Sequence, residues 1–225
     1  MKRLAPISDA IIIVDVMSFS TCVSVVVDRG GIVYPYRWRD FSSAEFARVR
    51  GAHVAGSRGS EGYSLSPESL CSIAPGTSLV LPSPNGSTLT LLSGDTPTYA
   101  GCLRNAKTVA QAAGTHGRRI AVIPAGERWK DDHSLRPAYE DLVGAGAIIA
   151  CLHGRRSPEA QMAVDAFTAA RAELLERLSS CASGRELIEG GYERDIRMIA
   201  DLDADECAPL LIAEAYRRAG ATPAA

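Results

Sequence analysis

This sequence predicts an α/β fold: a three-layer α/β/α arrangement around a mostly parallel or mixed central sheet. Three observations carry that expectation. Residues 10–16 and 119–123 are short, nearly continuous apolar runs, which suit strands covered on both faces. Strand-like and helix-like segments alternate through the first two thirds. The last third reads as helices only. The 225 residues suit one domain over 1–225, or two closely packed lobes of about 1–115 and 116–225.

The elements follow in order. Residues 10–16 (AIIIVDV) form the first strand and end in an acid. A segment rich in Ser, Thr and Val runs to Asp28, and Arg29-Gly30-Gly31 breaks it. Residues 32–36 read as a strand and 41–50 as a helix. His53 to Gly56 is a short strand entering a Gly/Ser-rich loop over 57–70. Residues 78–82 form the next strand, a loop spans Ser83 to Ser87, and Thr88 to Leu92 starts the next element. Thr98 to Gly101 is a short strand or loop, and Asn105 caps a helix over 106–113. Residues 119–123 (RIAVI) form a buried strand ended by Pro124-Ala125-Gly126. Helices follow over 137–152, with Pro137 in the first turn, and over 158–180, started by Ser157-Pro158. Ser183-Gly184-Arg185-Glu186 fits a capping box. Residues 192–201 and 206–218 read as two further helices.

Composition excludes several classes. Net charge is -2, 46% of residues are hydrophobic and 22% are charged. No block of like charges offers a nucleic-acid footprint or a polybasic membrane arm. The apolar runs fall short of the roughly 20 residues that cross a bilayer, so a cytoplasmic protein is expected. The six cysteines are scattered, as reduced buried thiols would be. His53, His116, His133 and His153 lack metal-ligand spacing. Apolar C-terminal helix faces offer a homodimer contact, which core packing explains as well.

Five segments can carry chemistry. Asp15 ends a buried strand, where open α/β sheets bind ligands. Ser18, Ser20 and Thr21 can bind phosphate oxygens at the next helix start, or serve the backbone. Asn85, Gly86 and Ser87 form a turn that can also hold an oxyanion. Arg104 can grip an acid group by bidentate bonds, with Asn105 beside it. Glu127, Glu140 and Asp141 can stabilise a helix start or supply carboxylates to a hard cation such as Mg²⁺. Arg58, in Gly56-Ser57-Arg58-Gly59, is a weak phosphate-loop signal.

Together these segments resemble the Mg²⁺-dependent 2-phosphosulfolactate phosphatases of coenzyme M biosynthesis. The likeness runs in order through Asp15 to Thr21, Gly56 to Gly59, Leu81 to Ser87, Gly101 to Ala106, Ala125-Gly126, Glu140 to Gly146, and Ser180 to Leu187 with Gly191, Asp195 and Ile196. Haloacid-dehalogenase phosphatases need a second Asp where Met17 stands. The resemblance implies Mg²⁺ held by Asp15, Asp141 and Glu127, with Asp15 and Asp141 catalytic. It implies a small phosphorylated acid bound by Ser18, Ser20, Thr21, Arg58, Asn85, Gly86, Ser87, Arg104 and Asn105. Two positions depart from the family pattern: Ser18 replaces an arginine and Ser57 a glutamate. Arg104 is therefore expected to restore the lost positive charge. The alternatives are a ligand-binding member with altered chemistry, or a metal-dependent enzyme on a different small acid.

Overall fold

The structure is a computed structural model that describes residues 1–38, 40–129, 131–132 and 134–220. The strands are β1 (Ala10–Val14), β2 (Ile32–Tyr36), β3 (His53–Val54), β4 (Ser78–Pro82), β5 (Thr98–Gly101), β6 (Ile120–Pro124), β7 (Glu127–Arg128), β8 (Leu135–Arg136), β9 (Pro209–Ile212) and β10 (Ala215–Arg218). The helices are α1 (Phe19–Asp28), α2 (Ser42–Val49), α3 (Gly86–Thr90), α4 (Ala106–Gly114), α5 (Tyr139–Ala150), α6 (Pro158–Ala170), α7 (Leu174–Ser180), α8 (Ala182–Glu189) and α9 (Glu193–Ala200).

Eight strands form one mixed sheet in the order β3-β4-β2-β10-β9-β5-β1-β6, with helices on both faces. It contains two parallel blocks, β3-β4-β2 and β5-β1-β6. The β9–β10 hairpin joins them through three successive antiparallel pairings, so the blocks run in opposite senses. A flat sheet would hold β1 and β4 about 24 Å apart, five steps at the usual strand spacing. Yet Gly86, just past β4, donates to Asp15, just past β1, at 2.9 Å. The sheet must therefore coil, and α1 lies in its hollow.

Helix α1 is enclosed on all sides: every residue from Phe19 to Val27 is buried, Ser20, Thr21 and Ser24 included. Its hydroxyls tie it to the β1 end. Ser20 Oγ donates to the Ile13 carbonyl and accepts from the Asp15 amide, and Thr21 Oγ1 donates to the Val16 carbonyl. Alternation along β1 divides the core: Ile12 and Val14 face α4 and α5, while Ile11 and Ile13 pack with Ala5 and Leu89. Helices α6 to α9 turn Phe167, Leu178, Leu187 and Ile199 into the same core as α5, so those apolar faces serve internal packing. At Gly146 a side chain would collide with the Ala163 carbonyl, which lets α5 and α6 cross closely.

Three expectations are corrected. Residues 206–218 form no helix: Pro209 to Arg218 make the β9–β10 hairpin, which Ala213 and Glu214 turn with φ of 47° and 68°. The strand near 120 exists, but β6 is a half-buried edge strand. Cys181, not Ser183, occupies the N-cap of α8 and accepts from the Gly184 amide.

Candidate active site

The end of β1, the turn after β4 and the turn after β6 meet around Asp15. Asp15 Oδ2 accepts from the Gly86 amide at 2.9 Å, with the Ser83 hydroxyl at 3.5 Å. Its Oδ1 accepts from the Phe19 amide at 3.3 Å. Only glycine fits at position 86: a Cβ there would lie 2.8 Å from Asp15 Oδ2 and 2.7 Å from Phe19 Cγ. Asp141, from the first turn of α5, accepts from the Val16 amide at 2.8 Å and the Gly126 amide at 2.9 Å. It clamps the chain after β1 to the chain after β6. Asn85 Nδ2 donates to Glu127 Oε1 at 3.2 Å.

A cleft of about 440 Å³ opens here. Asp15, Ser83, Asn85 and Glu127 line one part, and Ser18, Arg58, Leu65 and Tyr192 another. Arg58 donates to Ser18 Oγ and faces Asp195 Oδ2 at 3.6 Å. The fourth charged wall residue is Glu186, paired with Arg136 at 3.0 Å. Three carboxylates thus line the cleft against one guanidinium.

Burial dominates the electrostatics of the acids here. Burial pushes Asp15 up to about 6, against amide bonds from Gly86 and Phe19 that favour its charged form. Glu127 and Glu140 add repulsion. Burial and then the Asp15 charge raise Asp141 well above the usual carboxylate range, although two amides favour its ion. The two acids titrate as a pair. Such a group of acids is neutralised by keeping protons or by taking up a cation. Among the described residues no three His, Cys, Asp or Glu side chains form a ready-made metal cage. Two cleft carboxylates, Asp15 and Glu127, do fit a hard cation that takes one or two protein carboxylates plus phosphate oxygens.

A larger groove, about 1300 Å³, runs along α4 to the turns that follow α4 and α5. It contains Lys107, Arg118, Arg119, His153 and Arg155 and no acid. Of these cations, Arg119 is paired with Asp9 at 2.6 Å, and Lys107 stands in the first turn of α4.

The family description 2-phosphosulpholactate phosphatase matches residues 2–214. The chain belongs to the 2-phosphosulpholactate phosphatase family. A curated relative, a 2-phosphosulfolactate phosphatase from Methanothermobacter thermautotrophicus (strain Delta H), is 32% identical over 157 residues. The match covers 68% of this chain and 65% of the relative, just under two thirds of the relative's length.

Within this family member, Asp15, Ser18, Arg58, Asn85 and Glu127 share the cleft wall, while Gly86 and Asp141 stand directly behind it. Other expected ligands are engaged elsewhere. Ser20 and Thr21 bond backbone, as the folding of α1 requires. Ser87 Oγ donates to the Leu81 carbonyl and accepts from the Tyr36 amide. Asn105 accepts from the Cys102 amide and donates to the Ala100 carbonyl. Arg104 makes a bidentate pair with Asp205 at 3.0 and 2.7 Å and donates to the Met198 carbonyl, so it does not restore a charge to the cleft. His116 bonds Tyr99, and His133 lies outside the described residues. Sequence reading missed Ser83, Glu186 and Tyr192 as cleft residues. Ser83 carried a signal as the first residue after a predicted strand, and Glu186 lay within the family-like Ser180 to Leu187 stretch; Tyr192 carried none.

Proposed function

We propose that this chain is a divalent-metal-dependent phosphatase acting on a small phosphorylated acid of the 2-phosphosulfolactate type. The observation that carries the reading is Asp15, a buried acid held by two backbone amides in a cleft with Glu127, Asn85 and Arg58. Family membership and the relative's name supply the chemistry it fits.

Asp15 and Glu127 are the carboxylates assigned to hold the metal, with Mg²⁺ the expected ion, and Asp141 supports the loop that carries Asp15. When bound, such a cation neutralises phosphoryl oxygens and acidifies a water. The chain's own contribution is positioning. The Gly86 and Phe19 amides fix the Asp15 carboxylate, Asn85 orients Glu127, and Arg58 receives an acid group of the substrate. These groups are set before the reaction, so none must reorganise as phosphoryl charge spreads. Leu65 and Leu187 line the wall and limit water.

All six cysteines are unpaired, and no described helix is long and apolar enough to cross a membrane. Both facts accord with a reducing, cytoplasmic setting as part of this proposal. The test is phosphate release from a panel of phosphorylated acids, 2-phosphosulfolactate among them, with Mg²⁺ and with chelator. Metal-dependent release from at least one supports the reading. Ligand-dependent stabilisation without any release favours a binding protein instead.

A further inference from the structure

We propose that Asp195 is a positioning residue, which with Ser18 aims Arg58 to receive the carboxylate of the substrate. The inference rests on the phosphatase reading above and assigns a task to residues outside its chemistry.

Asp195 lies in the first turn of α9 and is 1% exposed. Its Oδ1 accepts from Ser66 Oγ at 2.6 Å and from the Glu68 amide at 3.1 Å. Its Oδ2 has no hydrogen-bond partner and stands 3.6 Å from Arg58 Nε, which is also buried and unpartnered. This is charge contact without a hydrogen bond. A buried carboxylate fixed by two donors, with its free oxygen toward one guanidinium, orients that guanidinium by its field. Ser18 Oγ accepts from Nη2 and completes the clamp. Among the described residues no other hydrogen-bond acceptor engages Arg58, and its side chain is 22% exposed. Its remaining donors are left for the cleft.

The separation suits a small substrate. Ser18 is three residues from Asp15, so their Cα atoms are at most about 10 Å apart. A phosphate near Asp15 and a carboxylate at Arg58 therefore belong to one short molecule. Arg58 is the one cation lining the cleft among the described residues, so it is the natural receptor for that carboxylate.

The test compares 2-phospholactate with isopropyl phosphate, which lacks the carboxylate, in Mg²⁺. Wild type is expected to favour 2-phospholactate. Asp195→Asn and Arg58→Gln should each lower the ratio of the two kcat/KM values by roughly tenfold or more, mainly through KM. The double variant should be no less selective than Arg58→Gln. A merely structural role would lower both substrates together and leave the ratio intact, which overturns the proposal. If Asp195→Asn does not fold, Ser18→Ala should shift the ratio in the same direction; an unshifted ratio overturns the clamp. If wild type hydrolyses neither ester, the phosphatase reading rests on the wider panel above, and calorimetric titration with 2-phospholactate decides the subsite. Binding at least tenfold weaker in Arg58→Gln supports it. Equal binding, or none to wild type, overturns it.

Discussion

The Gly86 amide donates to Asp15 Oδ2 at 2.9 Å, joining the ends of strands that a flat sheet would hold far apart. One hydrogen bond thus links the coil of the sheet to the acid at its centre. Gly86→Ala would place a methyl group 2.8 Å from that oxygen and against the Phe19 ring. We expect a stability loss of about 1–3 kcal/mol, as for other overpacked sites, and loss of metal-dependent turnover. Denaturant unfolding and a phosphate-release assay check both. Unchanged activity would mean that this contact does not position Asp15.

Asp15 also predicts a pH dependence. Its folded value, about 6, lies above the ordinary 3.8. Between those values the folded chain keeps a proton that the unfolded chain has released. Stability from this source is therefore full below pH 4 and is lost as pH rises through 6. Asp141, raised by burial and by the Asp15 charge, titrates with it and adds to the loss in the same direction. Asp9, held down to about 2 by Arg119, acts only below that window. Metal-free protein should melt higher at pH 5 than at pH 7, and Mg²⁺ should stabilise it more at pH 7. A flat melting profile in chelator would contradict this.

Arg104 separates structure from recognition. Arg104→Ala would leave Asp205, 5% exposed, with only Ser24 as hydrogen-bond donor among the described residues. Breaking a buried pair this way costs about 3–5 kcal/mol, or roughly 10 °C in Tm. KM should not change. A raised KM with unchanged Tm would return Arg104 to the substrate site.

Asp141→Ala would leave the Val16 and Gly126 amides without their acceptor. Each loss costs about 1–3 kcal/mol if the amide stays buried. The turn carrying Glu127 would loosen, so Mg²⁺ affinity by calorimetry should fall. Unaltered affinity would show that the clamp does not set the Glu127 position.

The sequence exposed the parts that depend on local pattern. The apolar run before Asp15 was readable because a strand covered on both faces needs no polar residue. Asn85-Gly86 was readable because such a pair follows strands at turns. The C-terminal hairpin was not readable: Pro209 to Arg218 contains good helix formers and lacks Asn-Gly at its turn, and only the gap between β2 and β5 makes it extend. The task of Arg104 was hidden for the same reason, since its partner Asp205 lies 101 residues away. The hydroxyls of Ser20 and Thr21 looked like phosphate ligands, yet a helix enclosed by its own sheet uses them to satisfy backbone groups.

The most direct measurement is phosphate release from 2-phosphosulfolactate by wild type and Asp15→Asn, each in Mg²⁺ and in chelator, with both folds verified by circular dichroism. The account predicts release by wild type in Mg²⁺ alone and at least a hundredfold less by the folded variant, about the effect of removing a preorganised electrostatic group. Release that persists in chelator, or in Asp15→Asn, would contradict it.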